Sequence, residues 1–394
     1  MSQAPSSITP EQFHEWRSPR RGSTHPENMT NDVWAWIIGQ MDEDEQYLSA
    51  YKVNQLFQGP HSMDAGPCWC FSRFGQTKTE LPDGRTLFVA GEHEDFYDPD
   101  FYIYNDVVVV EKSGEISIFG YPDDVFPPTD FHTATLTGDS LILIGNLSYP
   151  QNRKPGQTQV LRLELDSWRI SPVETSGTPP GWIHRHKAFL SDDAGEIRVT
   201  HGQIDHGDKT SFVENIDDWS LDLQTFRWNR LTKRNWPRFE VFREDKKRNH
   251  LYEIGNYSSS LQMRSICPGY DEMLKRELGD FYQKLGPNIF NYEKTLKKEL
   301  GIVPDLTLFE TLYTPPIATE IIDEDTESED YDCRVHRICI GDVIVRYVEK
   351  SHSILVTVEG ELPESVVEQL KKDITDKLSA LEQTKIVCQT ITSE

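Results

Sequence analysis

The chain has 394 residues, 37% of them apolar, and a formal charge of −25 at pH 7. That acidity argues against a nucleic-acid binder, which needs surplus Lys and Arg to release phosphate counterions, and against an anionic membrane surface. No run approaches the ~18 apolar residues of a membrane span, and Met1–Trp16 lacks the apolar core of a secretory signal, so a soluble cytoplasmic protein is expected.

Residues 1–30 are polar, with Pro, Ser and Arg scattered through them, and read as an extended arm. Residues 31–66 read as helices. Trp34, Ile37, Ile38 and Met41 fall at i, i+3, i+4 and i+7 behind a capping Asn31 or Asp32, and a second helix is expected from about Asp44 to Phe57, before Gly59-Pro60. Cys68 and Cys70 flank Trp69 without a second cysteine pair at zinc-finger spacing, and read as buried small hydrophobes. The six cysteines are too scattered for a disulfide scaffold.

From Trp69 the pattern changes to short alternating stretches. LFVAG ends at Gly91, LILIG at Gly145, IRVTHG at Gly202 and LYEIG at Gly255, at intervals of 54, 57 and 53 residues. A near-constant period of that size points to one four-stranded sheet per repeat, with three full repeats and a fourth starting near Phe239. Other landmarks keep step. Phe131-His132 is echoed by Arg185-His186, each a few residues after a Pro pair, and Leu163-Glu164-Leu165-Asp166 with Trp168 is echoed by Leu221-Asp222-Leu223 with Trp228. Nine Trp, fifteen Tyr and eighteen Phe can fill several thin cores of this kind.

After Tyr257 the period stops. Leu274, Leu278, Phe281 and Leu285 sit at helical spacing, Phe290–Leu300 reads as another helix, and Ile321–Asp332 is an acidic run read as a solvated loop, so 259–332 is a helical segment with an acidic linker. Residues 333–394 read as a βββα unit: strands at Arg334–Ile340, Val343–Glu349 and Ser353–Glu359, then a helix with Val366, Leu370, Ile374, Leu378 and Leu381 on one stripe. This unit is either a small α+β domain or a donor of strands to the array.

Within an array expected over residues 67–258, the order of a histidine, a strand ending in Gly, a strand near Asn-Asp or Leu-Asp, then Trp and a Pro-containing exit resembles the kelch repeat over about residues 69–258. Tyr104-Asn105-Asp106-Val107 marks the third-strand entry of the first repeat. Ala90-Gly91, Gly145-Asn146, His201-Gly202 and Gly255-Asn256 stand where that family has a double glycine. The resemblance implies a mainly β, kelch-like propeller of about four blades, of the galactose-oxidase-like central-domain type. It also implies that the loop after strand 2 and the connection into the next blade emerge on one face.

That face would gather Glu92, His93, Glu94, Asp95, Asp130, Trp182 and His184. The first function read from it is a protein-interaction module, with Trp182 either a packing residue or an anchor for a partner that the acidity suggests is basic. The alternative is a metal-dependent hydrolase with a divalent metal as cofactor. Imidazoles and carboxylates suit such an ion, and the candidate ligands are His93, Glu94, His184 and His206. His132 and His186 read instead as strand-1 histidines that hydrogen-bond to neighbouring backbone. No nucleophile-elbow, metalloprotease, P-loop or dinucleotide signature is present.

Overall fold

The computed structural model describes residues 7–40, 50–59, 66–93, 101–207, 212–273, 275, 292–322 and 334–391. The chain divides into two compact units, 1–234 and 235–394. It is mainly β, in several antiparallel sheets, with no closed barrel among the described residues. No described helix is long and apolar enough to cross a membrane.

The first unit opens with helices. Where an extended arm was expected, Pro10–Trp16 is helical, closed by a capping box between Thr9 and Gln12, and its Phe13 is buried. Asp32–Ile38 follows as predicted, with the Asn31 side chain accepting the Trp34 N–H. Ala50–Leu56 falls within the second predicted helix; the start of that prediction lies outside the described residues. Trp34 stacks on Trp69 at 4.9 Å in a core that also holds Cys68 and Cys70, so the two cysteines are the buried hydrophobes the sequence suggested.

Three meanders come next, each with four strands hydrogen-bonded in chain order. The first runs through Thr77–Glu80, Thr86–Val89, Asp106–Val110 and Ile116–Gly120, with Glu27–Asn28 added at its outer edge. The second runs through Thr133–Thr137, Ser140–Ile144, Val160–Glu164 and Ile170–Pro172. The third runs through Lys187–Leu190, Glu196–Thr200, Trp219–Asp222 and Arg227–Arg230, and Ser176–Gly177 pairs parallel to its last strand.

Side-chain alternation dictates how they stack. In the second sheet every residue of Ser140–Ile144 is buried. Leu141 and Leu143 pack with Leu87, Val89, Val107 and Val109 of the first sheet, while Ile142 and Ile144 pack with Ile197, Val199 and Leu221 of the third. In the third sheet Ile197 and Val199 are buried toward the second sheet, whereas in the row facing away Phe189, Arg198 and Asn229 are exposed and Ser220 is buried.

The segment expected to open a fourth repeat is built differently. Arg238–Arg243 pairs with Ser353–Glu359 and Ile386–Ile391 in the second unit. Gly255 sits inside the helix Leu251–Ile266 and lacks the positive φ of Gly91, Gly145 and Gly202. LYEIG deceives because Leu251 and Ile254, both fully buried, stand three apart on a helix face, a spacing that a strand would send to opposite sides.

The second unit is a six-stranded antiparallel sheet ordered Glu320–Ile322, Arg334–Ile340, Val343–Glu349, Ser353–Glu359, Arg238–Arg243, Ile386–Ile391. The βββα reading thus gains a strand at each edge and one contributed from before the linker. The helix Glu364–Glu382 closes the core with Val367, Leu370, Ile374, Leu378 and Leu381, so Val367 takes the place expected for Val366. Its last residue, Glu382, is buried against Arg243 at 2.7 Å and His250 at 2.8 Å. Leu274, Leu278, Phe281 and Leu285 of the predicted middle helix and Phe290 of the next lie outside the described residues, as do 323–332 of the acidic run.

Candidate functional site at the glycine turns

Gly91, Gly145 and Gly202 end the second strand of the three sheets with φ of 90°, 77° and 82°. Each passes too close to its surroundings for a side chain. A Cβ on Gly145 would lie 2.5 Å from the Ile183 carbonyl oxygen, and one on Gly202 would lie 2.6 Å from that of His184. The adjoining amides stitch each sheet to the connection entering the next. Gly91 N–H donates to Thr129 at 2.9 Å, and Asn146 N–H donates to Ile183 at 2.9 Å.

These connections are built alike. Gly75, Phe131 and Arg185 all have positive φ, and they form a backbone chain in which Phe131 N–H donates to Gly75 at 3.0 Å and Arg185 N–H to Phe131 at 2.8 Å. The next histidines lock the sheets together. His132 Nε2 shares a hydrogen bond with the Thr77 hydroxyl at 3.1 Å, and His186 Nε2 with the Thr133 hydroxyl at 2.9 Å. Both are structural, as read from the sequence, but the partner is a threonine of the preceding sheet rather than backbone. Burial pushes both imidazoles down to about 3, so they are neutral.

The residues just before the left-handed positions are Phe74, Asp130 and His184. Asp130 is wholly buried; its Oδ1 accepts the Ser148 N–H at 2.7 Å, and its own N–H donates to Asn146 Oδ1 at 3.1 Å. Burial pushes its carboxyl up to about 6, against the opposing pull of Ser148, Arg153, Arg185 and Glu92. His184 is 1% exposed, and neither ring nitrogen has a hydrogen-bond partner among the described residues. Burial, then Arg185, Arg153 and His186, holds it well below the usual histidine range. Phe212 meets its ring edge-on at 4.6 Å, and Arg153 lies over the same Phe212 at 5.0 Å.

Three residues not expected in the site, Asn146, Ser148 and Arg153, frame this cluster. Asn146 Nδ2 donates to Pro128, Thr129 and Gln159 at 3.0–3.3 Å. Ser148, at φ 59°, anchors Asp130, and Arg153 donates to the Leu147 and Ser148 carbonyls. The one available signal was Asn146 itself, a polar amide directly after a repeat glycine.

The expected site residues do not form one accessible surface. Trp182 is 4% exposed and donates its Nε1–H to the Leu147 carbonyl at 3.2 Å, so it is a packing residue and not a partner anchor. His93 is buried with Nδ1 2.8 Å from the Ser72 carbonyl oxygen, and Asp130 and His184 are buried as well. His206 is exposed, whereas Glu94 and Asp95 lie outside the described residues. Among the described residues no three His, Cys, Asp or Glu side chains stand together as a metal site, so His93, His184 and His206 are not gathered around one ion. Besides His201 and His206, this end exposes two aromatic side chains. Phe74 is 44% and Phe101 41% exposed, on the segments flanking Glu92, and Phe101 rests edge-on against Tyr149 at 5.7 Å.

No family model matches the chain, and no curated protein matches it. Among solved structures, the chain titled "Structure of YjhT" is 13% identical and aligns with 42% of this chain at a TM-score of 0.28. The chain spans about half of that protein's length, 51%, and a superposition this loose defines neither fold nor function.

Proposed function

We propose that this chain is a protein-interaction module whose first unit is a short kelch-like array of three blades, and that it binds a partner with a basic face at the glycine-turn end. The observation that carries the reading is the exposed pair Phe74 and Phe101 beside Glu92, set on a frame tied by the buried Asp130–Ser148 hydrogen bond. Exposed aromatics on rigid turns lose little entropy on docking and are enriched where interface energy concentrates. The charge supports a basic partner: residues 1–150 contain 23 Asp and Glu against 8 Lys and Arg. The repeated glycines, the His–Thr bonds and the chain-order meanders support the kelch-like reading. The hydrolase alternative draws no support from the described residues, since its histidines are buried apart or exposed singly.

Chemical cross-linking of the full chain in its native extract provides the test. The adduct set formed by the wild type is expected to be lost in Phe74→Ala/Phe101→Ala at unchanged thermal stability, and to shrink as salt rises. An identical adduct set from the double variant overturns the reading.

A further inference from the structure

The opposite ends of the same sheets carry a second feature that the glycine turns do not use. There the hairpin turns of adjacent sheets face one another across two clefts. One, of about 550 Å³, lies between the Leu81–Arg85 turn of the first sheet and the Gly138-Asp139 and Leu165–Trp168 turns of the second. The other, of about 480 Å³, continues past Ser140 and Arg162 to Leu223 of the third sheet. Both are walled by Asp139 and Asp166, so they form one groove crossing the three sheets.

The groove has an apolar wall and an acidic rim. Leu136, Leu165 and Trp168 supply the first. The Trp168 ring is held in place, stacked on Phe119 at 5.4 Å while its carbonyl accepts the Tyr121 hydroxyl at 2.6 Å. Of the two cations present, Arg85 is engaged by Asp83 at 2.8 Å over the Trp168 ring, and Arg162 lies over Phe226 at 5.2 Å. The carboxylates of Glu111, Asp139 and Asp166 have no ion pair among the described residues. Unpaired carboxylates on low-dielectric walls focus a negative potential into the groove. Tight turns, with Gly138 and Trp168 both at positive φ, preset its shape.

We propose that this groove binds an extended peptide segment of a partner protein in which Lys or Arg alternates with apolar residues. The apolar side chains lie against Trp168 and Leu136, and the cations against Asp139 and Asp166. The proposal is independent of the glycine-turn reading, because it uses the other end of the strands.

The probe is a fluorescein-labelled hexapeptide of alternating arginine and leucine, titrated with the full chain and followed by anisotropy. Saturable binding is expected, weakened about tenfold by Asp139→Asn/Asp166→Asn, since each partly exposed ion pair contributes a few-fold. Both residues are exposed, so the melting temperature should not move. Glu174→Gln/Asp192→Asn removes the same charge elsewhere and should change affinity less than about twofold. Phe74→Ala/Phe101→Ala should leave it unchanged. Three results overturn the proposal: no saturable binding, an Asp139/Asp166 variant that binds like wild type, or equal losses in the Asp139/Asp166 and Glu174/Asp192 pairs.

Discussion

Asp130 shows how one buried carboxyl can set a pH response. Its folded value of about 6 lies above the ordinary 3.8, so the native state holds the proton more tightly than the unfolded chain does. The stability this contributes is fully present below 3.8 and is lost as pH rises through about 6, to a total of about 3 kcal/mol. Asp130→Asn keeps an oxygen for the Ser148 N–H and removes the ionisation. Urea midpoints of the variant should therefore exceed wild type above pH 6 and converge with it near pH 4; a constant offset at all pH values would contradict the sign. His132 and His186 act oppositely. Their stability is full above 6.5 and is lost as pH falls toward their folded value of about 3. Subtracting the variant's pH curve from wild type isolates the Asp130 contribution from theirs.

At the scale of the element, the repeat is carried by turns more than by side chains. Trp168 and Phe226 both sit at positive φ, and their N–H groups donate to Glu164 and Asp222 at 2.9 and 2.8 Å. Trp168 is therefore matched by Phe226, while Trp228 holds the place of Ile170 and is likewise buried. Pairing the two tryptophans by type misplaced the register by two residues, because the turn conformation and not the indole is what repeats. The glycines can be tested directly. Gly145→Ala should cost about 3 kcal/mol, as the new Cβ meets backbone at a left-handed φ. Gly255→Ala should lie within about 1 kcal/mol of wild type, because helix propensity favours Ala and the atom it meets is the mobile end of Arg334. Comparable losses at both positions, measured by chemical denaturation, would return Gly255 to the repeat.

For the whole molecule, each compact unit has its own apolar core. Scanning calorimetry should accordingly resolve two transitions. Gly145→Ala should lower the one belonging to 1–234. Glu382→Gln, which removes a buried carboxylate from Arg243 and His250, should lower the other by about 3 kcal/mol. A single transition shifted by both substitutions would show that the units melt as one.

The sequence by itself determined the β-rich array, its glycine turns, the structural role of His132 and His186, and the strands and helix at the C-terminal end. These are local matters: period-2 alternation, a glycine that no side chain can replace, and a helical stripe are written in consecutive residues. The tertiary structure decided the fate of the expected fourth repeat, because Arg238–Arg243 pairs with Ser353–Glu359 and Ile386–Ile391, far along the chain. It also decided the fate of the candidate site. Trp182, His184 and Asp130 have the residue types of a binding face, yet burial between stacked sheets withdraws them from solvent, and burial is a property of contacts distant in the chain. The same stacking brings Asp139 and Asp166, on two successive turns of one sheet, onto the rim of a groove that neither turn forms alone.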